Sequence, residues 1–323
     1  MKAIVQDRFG SADVLEFRDV EEPVAGDEDV LVRVRAAGCG PDVWHLMTGR
    51  PYFVRLMPGF HKIKGMVPGR DVAGTVEAVG TKVTDLRSGD EVMGIAEGSF
   101  AELAVARAAK LVPKPRRLEH EQAAAAPISG ITALMAVRDV AKVRPGQRVL
   151  VTGAGGGVGT LTVQIAKAFG AHVTGVCSAS KADLVRSIGA DEVIDYAREE
   201  FTDGSRRWDA IVDTAGRRPL RRLRRALAPK GTLAIVGGEG GGRITAGFFR
   251  QILRAPLMSM FSGRKLRPVI SKEDPADMKA LAELIESGAV TPVVGSTYAL
   301  PAAAGALREL EGGHATGKIV VVV

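Results

Sequence analysis

Cysteine is nearly absent: Cys39 and Cys177 are the only two in 323 residues. That excludes a disulfide framework and suits a reducing compartment. Long hydrophobic runs are missing too. None reaches the roughly 18 residues that a membrane span needs, so no membrane partner is expected. The opening Met1-Lys2-Ala3-Ile4-Val5-Gln6 has no apolar core followed by a cleavage site, which points to the cytoplasm. Acidic residues are the minority, 37 against 44 basic, for a net charge of +7. The excess is concentrated in arginines from Arg206 to Arg225. Arg218, Arg221, Arg222 and Arg225 follow helical spacing beside Leu220, Leu223 and Leu227, so the simplest reading is a solvated helix face. A polyanion-binding surface is the alternative. No aromatic residue interleaves those arginines as a single-strand stacking platform requires, and nucleic acid is not expected as a partner.

What is present is led by one run, Val149-Leu150-Val151-Thr152-Gly153-Ala154-Gly155-Gly156-Gly157-Val158-Gly159. An apolar strand enters a glycine-rich turn, and the helix-compatible Thr160–Phe169 follows, stopped by Gly170. A second strand, Ala171–Cys177, comes next. Strand, glycine turn and helix together seat a dinucleotide pyrophosphate. The glycines permit close backbone approach, and the unsatisfied N–H groups of the helix start face the phosphates.

The length suggests about two domains, and a composition 46% hydrophobic and 25% charged suits soluble globular ones. The first ~120 residues read as β-rich. Val30, Val32 and Val34 alternate with Leu31, Arg33 and Arg35, 72–79 is a further strand candidate, and 88–91 reads as a turn. Residues 50–67, rich in Gly, Pro and basic side chains, read as a long surface loop. After Pro127 the pattern changes to alternating helices and strands, the mark of a parallel sheet. Helices are expected at 119–126, 129–141, 158–169, 180–188, 218–228 and 277–287. Strands are expected at 148–152, 172–177, 192–195, 209–213 and 231–237. The tail returns to β character.

The end of the second strand meets the adenosine ribose in a dinucleotide fold. A carboxylate there bonds the 2′-hydroxyl of NAD and repels the 2′-phosphate of NADP. Here the strand ends Cys177-Ser178-Ala179-Ser180-Lys181. Ser178 can donate to a phosphate and Lys181 supplies a charge, so NADPH is the expected cofactor. Ser180 and Asp183 read more simply as a capping box at a helix start.

Motifs along nearly the whole chain resemble one family. They include 9–15 (Phe-Gly-Ser-Ala-Asp-Val-Leu), Gly69-Arg70-Asp71-Val72-Ala73-Gly74, Ser88-Gly89-Asp90-Glu91-Val92 and Gly98-Ser99-Phe100-Ala101-Glu102. The glycine run, Ile188-Gly189-Ala190-Asp191, Asp195-Tyr196, Asp213-Thr214-Ala215-Gly216 and Ala315-Thr316-Gly317-Lys318 complete the set. They are similar to the medium-chain dehydrogenase/reductase superfamily, in its zinc-independent, quinone-oxidoreductase-like branch. The resemblance implies an α/β chain: a GroES-like β domain (1–121 and 288–323), a Rossmann doubly wound parallel sheet (122–287), and an active site in the cleft between them. It implies pyrophosphate contacts at Gly156, Gly157, Val158 and Gly159, and a 2′-phosphate site at Ser178, Lys181 and Tyr196. It places Thr132, Gly237, Gly238 and Phe261 along the nicotinamide side. It also implies a homodimer acting on a small-molecule substrate.

Cys39-Gly40-Pro41-Asp42 resembles the start of the zinc-alcohol-dehydrogenase ligand set. Zinc members, however, carry Gly-His-Glu where this chain has Gly69-Arg70-Asp71, and the third-ligand region near Ile128 and Ser129 has no Cys or His. A catalytic zinc needs three protein ligands, and His61 is the one imidazole in the loop able in principle to approach Cys39, so no metal is expected. Without a Lewis acid, reduction of a quinone or enone needs a donor for the developing oxyanion. His45, where relatives often carry tyrosine, and Tyr52 are the candidates. His45 can donate a proton or bond the cofactor ribose, or be held locally; Tyr52 can be a donor or a surface residue. Relatives usually have asparagine where this chain has Gly40, so that amide is missing, and the Asp42 carboxylate would repel an enolate. Cys39 as a nucleophile is a lesser candidate. The expected function is an NADPH-dependent reductase of quinones, enones or related α,β-unsaturated carbonyls. An NADP-dependent alcohol or carbonyl oxidoreductase, or an NADPH-binding regulatory protein with little turnover, is the alternative.

Overall fold

The computed structural model describes residues 1–52, 55, 63–237, 254–259 and 263–323. The chain divides into two compact units. One comprises Met1–Ile131, Glu273–Ser287 and Pro292–Val323; the other comprises Thr132–Lys272 and Gly288–Thr291.

The chain begins in the first unit with β1 (Lys2–Gln6) and β2 (Leu15–Asp19), an antiparallel pair. β3 (Asp29–Cys39) follows and buries Val30, Val32 and Val34 on one face, as their alternation predicts. α1 (Pro41–Thr48) starts with proline in its first turn and ends on Gly49 at φ 58, the left-handed conformation that glycine adopts at no steric cost. β4 (Asp71–Val79), β5 (Glu91–Ile95), β6 (Leu103–Arg107) and β7 (Leu111–Pro113) complete the first run. β3 is the hub: it pairs antiparallel with both β4 and β6. α2 (His120–Ala124) carries a reciprocal capping box between Glu119 and Gln122, and α3 (Pro127–Leu134) continues into a π-helical stretch, Met135–Ala141.

The second unit runs β8 (Arg148–Thr152), α4 (Gly157–Ala168), β9 (His172–Cys177), α5 (Ala182–Ser187), β10 (Glu192–Asp195), β11 (Trp208–Asp213), α6 (Leu220–Ala226), β12 (Leu227–Ile235) and β13 (Lys265–Pro268). The strands form one parallel sheet in the order β10-β9-β8-β11-β12-β13. Strand order reverses beside β8, so the loop after β8 opens at the switch point where doubly wound sheets take ligands. Trp208, Leu150, Ile211 and Leu233 are fully buried in its core.

The chain returns with α7 (Pro275–Glu286), β14 (Val294–Ala299), α8 (Ala303–Gly312) and β15 (Lys318–Val322). β15 pairs parallel with β14 and antiparallel with β3, closing a seven-stranded sheet.

Three expectations are corrected. The helix expected over 218–228 stops at Ala226 and the chain enters β12 at Leu227, ahead of the strand expected from 231. Pro229 bars the helical conformation for the residue before it and cannot itself continue a helix. The capping box between Ser180 and Asp183 does not form. A 3-10 turn, Ala179–Lys181, precedes α5, the Ser180 hydroxyl meets that of Ser178 at 3.0 Å, and Asp183 pairs with Arg186. Finally, α7 joins the first unit rather than the span 122–287. The buried Leu281 packs over Gly130, where no Cβ would fit, and Glu286 accepts the Arg116 N–H at 3.2 Å. Half of the loop expected over 50–67, residues 53–54 and 56–62, lies outside the described residues.

Candidate functional site

In the second unit the site is built on the turn between β8 and α4. Gly153 has φ 66 and hands the chain to Ala154, whose N–H bonds Val176 O on β9 at 3.0 Å. A Cβ at Gly159 would collide with the Gly153 carbonyl, so the first turn of α4 presses against the loop. Gly156 is the N-cap and offers no side-chain acceptor. The N–H groups of Gly157, Val158 and Gly159 therefore point outward with the positive end of the helix dipole. A Cβ at Gly156 would find nothing nearer than 3.5 Å, which leaves an open cradle beside those donors. These residues fit a pyrophosphate.

The β9 end supplies the neighbouring polar groups. Ser178 is partly buried, and Tyr196 is 45% exposed with its N–H on Cys177 O at 3.2 Å. Lys181 lies across the glycine turn: a Cβ at Gly155 would stand 2.7 Å from Lys181 Cδ and 3.0 Å from its Cβ. Burial lowers the Lys181 ammonium pKa. Among the described residues, the carboxylates at the ends of these elements are engaged elsewhere, Asp183 with Arg186 and Asp195 with Arg198. Gly237 packs against the Thr214 carbonyl, and Thr132 is half-buried on α3. Gly238, Phe261 and His61 lie outside the described residues.

In the first unit α1 carries His45, whose Nδ1 is 2.7 Å from Arg50 O. A carbonyl only accepts, so Nδ1 bears the hydrogen and Nε2 is an acceptor in the neutral ring, a donor only in the imidazolium. Tyr52 is 42% exposed, with the Arg55 guanidinium 4.8 Å from its ring. Arg55 also donates to Gly49 O at 3.0 Å and Thr48 O at 3.3 Å, holding the last carbonyls of α1. The sequence reading missed Arg55. Its lone charge after the helix stop at Gly49 was the available signal.

Arg70 forms a 2.6 Å ion pair with Glu273, which also holds Lys110 at 2.8 Å. The position that resembles a zinc-ligand histidine thus carries a cation committed to a carboxylate. Burial pushes the Cys39 thiol up to about 12, so Cys39 is a packed thiol and not a nucleophile. Behind it Lys318 donates to Asp71 at 2.8 Å and to Ser129 at 3.1 Å. A Cβ at Gly40 would stand 2.9 Å from Lys318 Nζ and 2.6 Å from Asp42 Oδ1, so the asparagine of relatives has no room without movement of that cluster.

Known proteins match this architecture. The family model described as alcohol dehydrogenase GroES-like domain matches residues 26–116, and the one described as zinc-binding dehydrogenase matches 188–321. A chloroplast envelope quinone oxidoreductase homolog from Arabidopsis thaliana is 32% identical over 97% of this chain and 95% of its own length. The solved quinone oxidoreductase of Coxiella burnetii superposes with a TM-score of 0.88 at 28% identity, covering 100% of this chain and 99% of its own. A mycobacterial protein solved as a complex with NADPH gives 0.85 at 28% identity, with 100% of both chains covered. The glycine turn, the two folds in their order along the chain and these likenesses agree: the chain belongs to the medium-chain dehydrogenase/reductase superfamily of oxidoreductases, in its quinone-oxidoreductase-like branch.

Proposed function

We propose that the protein is an NADPH-dependent, zinc-independent reductase of quinones, enones or related α,β-unsaturated carbonyls. One observation carries the cofactor choice: Lys181 lies over Gly155 of the phosphate turn, and among the described residues Asp183 and Asp195 are paired with Arg186 and Arg198. A cation there favours a 2′-phosphate, where NAD enzymes place an acid. The names of the relatives support a quinone acceptor, and the mycobacterial complex supports NADPH. The engagement of Arg70 by Glu273 supports chemistry without a zinc ligand at that position.

NADPH, when bound, supplies the hydride. The N–H groups of Gly157, Val158 and Gly159 would hold the pyrophosphate and Ser178, Lys181 and Tyr196 the 2′-phosphate, and the family resemblance assigns Thr132, Gly237, Gly238 and Phe261 to the nicotinamide side. His45, fixed through Nδ1 to Arg50 O, presents Nε2. As imidazolium it gives a proton to the reduced oxygen; as neutral imidazole it accepts a ribose hydroxyl. Tyr52 is the second donor on this reading. The proposal includes a cytoplasmic homodimer.

The test is stopped-flow loss of NADPH absorbance with panels of quinones, enones and aldehydes. Turnover of quinones or enones supports the reading. Turnover of aldehydes alone favours a carbonyl oxidoreductase, and tight NADPH binding with no oxidation by any acceptor overturns both.

A further inference from the structure

The neighbouring strands β11, β12 and β13 run parallel, and an arginine stands just ahead of each: Arg207 before Trp208, Arg225 before Ala226 and Leu227, and Arg264 before Lys265. Parallel order brings all three to one end of the sheet. Two of their side chains meet on a single atom. Arg207 Nη1 donates to Leu227 O at 3.3 Å and to Arg225 O at 3.1 Å, and Arg264 Nε donates to the same Leu227 O at 3.0 Å. The backbone at the start of β12 therefore fixes two guanidinium groups side by side. The stem of Arg225 runs across Gly204, where a Cβ would stand 3.4 Å from Arg225 Cγ. Arg207 and Arg225 are exposed, and Arg264 is half-buried.

Like charges held together repel one another until a counter-charge joins them. For other arginines of this unit a carboxylate supplies it: Arg206 pairs with Glu192 and Glu199, and Arg218 and Arg222 share Glu200. Among the described residues, Arg207, Arg225 and Arg264 have no carboxylate partner. A carbonyl carries no net charge, so Leu227 O orients the two cations without neutralising them. Its bonds use Nη1 of Arg207 and Nε of Arg264. Nη2 of the first and both terminal nitrogens of the second are left to a ligand. A phosphate group suits them, because guanidinium forks make charge-assisted hydrogen bonds to several of its oxygens at once.

We propose that Arg207 and Arg264, with Arg225 beside them, form a binding site for a phosphate-bearing anion that is separate from the dinucleotide site. The glycine turn follows the C-terminal end of β8, which pairs parallel with β11. The arginines precede the N-terminal ends of β11, β12 and β13, so a strand length of about 17–20 Å lies between the two sites.

The experiment is calorimetric titration of the full chain with pyrophosphate, with saturating nicotinamide cofactor present to fill the glycine turn. Sedimentation with phosphatidylcholine vesicles, with and without phosphatidate, is its second arm. The expected result is pyrophosphate binding that Arg207→Gln and Arg264→Gln each weaken about tenfold. Arg221→Gln, at an exposed arginine of α6 that does not bond Leu227 O, should leave it unchanged. A thermal scan checks that the variants fold. If loss of the carbonyl bonds lowers their melting temperature, Arg225→Gln carries the test, because its guanidinium holds no backbone group, and it too should weaken pyrophosphate. Binding to phosphatidate vesicles alone, lost in the same variants, would keep the site and assign its phosphate to a lipid headgroup. No binding of either probe, no change in the variants, or equal weakening by Arg221→Gln would overturn the proposal.

Discussion

Lys318 Nζ donates to Asp71 Oδ2 at 2.8 Å across the strand that separates them. Lys318 leads β15 and Asp71 leads β4, and β3 lies between, with Gly38 opposite Asp71 in the antiparallel register. A Cβ at Gly38 would stand 2.7 Å from Asp71 Oδ2, so the glycine is the gap through which the pair meets. Burial opposes charge on Lys318, but the carboxylates of Asp71 and Asp42 outweigh it and its pKa is raised. Burial also pushes the Asp71 carboxyl up. Both Asp71 oxygens nevertheless accept hydrogen bonds, one from Lys318 and one from the Ile128 N–H at 2.8 Å, and that geometry is the geometry of an ionised pair.

Removing one partner of such a pair strands the other. Lys318→Met is expected to cost about 3–5 kcal/mol, read as a lower urea midpoint. Lys318→Met with Asp71→Leu should recover much of that loss, though not all, because the Ile128 N–H then has no acceptor. A single variant as stable as the wild type would show that the pair is not charged.

The limits of the sequence are clear at this pair. Its partners are 247 residues apart, and Arg70 and Glu273 are 203 apart. No periodicity or local motif links residues at such a distance. The phosphate turn was legible because strand, glycines and helix are consecutive and each carries its own signal. The alternation in β3 was legible for the same reason. The failures are equally physical. The arginine spacing that read as one helix over 218–228 contained Pro229 just beyond its end, and tertiary contacts extended the strand backward to Leu227. Ser180 and Asp183 had capping-box spacing, but a 3-10 turn took their place and left each with a different partner. Arg55 belongs to no periodic pattern, so its role emerges only from what it touches.

Glu273 gives a pH dependence with a definite sign. Burial raises its carboxyl, but the Lys110 hydrogen bond and the Arg70 charge prevail and the pKa is lowered. A depressed carboxyl stabilises the fold above its unfolded value, about 4.3, and loses that contribution as pH falls toward the folded value. Glu273→Gln keeps the side-chain size and the φ of 51, so the comparison reads the charge. The groups are partly exposed, which limits the difference to about 1 kcal/mol at neutral pH. It should be flat from pH 7 to about 5 and close below about 4.3, measured by urea denaturation at each pH. A difference that grows on acidification would contradict the ion-pair assignment.

His45 separates a chemical role from a local one. Its bond to Arg50 O fixes the ring whichever role it plays, so stability alone cannot decide. His45→Gln keeps a side-chain amide donor, whereas His45→Phe keeps only bulk. If Nε2 serves the reaction, both variants should lower kcat for quinone reduction by about a hundredfold, with NADPH affinity little changed. If the ring only ties α1 to Arg50, Gln should retain the wild-type rate.

Two glycines of the phosphate turn should fail in different ways when each is replaced by alanine. At Gly159 the new methyl meets the Gly153 carbonyl, a backbone atom that moves only if the turn opens. Gly159→Ala should therefore weaken NADPH and NADH alike, by at least about tenfold, and lower the melting temperature of the chain. At Gly155 the nearest atoms all belong to the Lys181 side chain, with Cδ at 2.7 Å, Cβ at 3.0 Å and Cγ at 3.4 Å. The chain beyond Cβ can swing away, and the Cβ contact needs only a few tenths of an ångström of give, so the turn itself is not opened. Gly155→Ala should leave NADH binding near the wild-type value and weaken NADPH by removing the ammonium from the 2′-phosphate. Equal losses for both cofactors at Gly155 would mean that Lys181 does not discriminate between them. The lysine would then be packing against the turn and nothing more, since the glycines alone suffice for the pyrophosphate common to both.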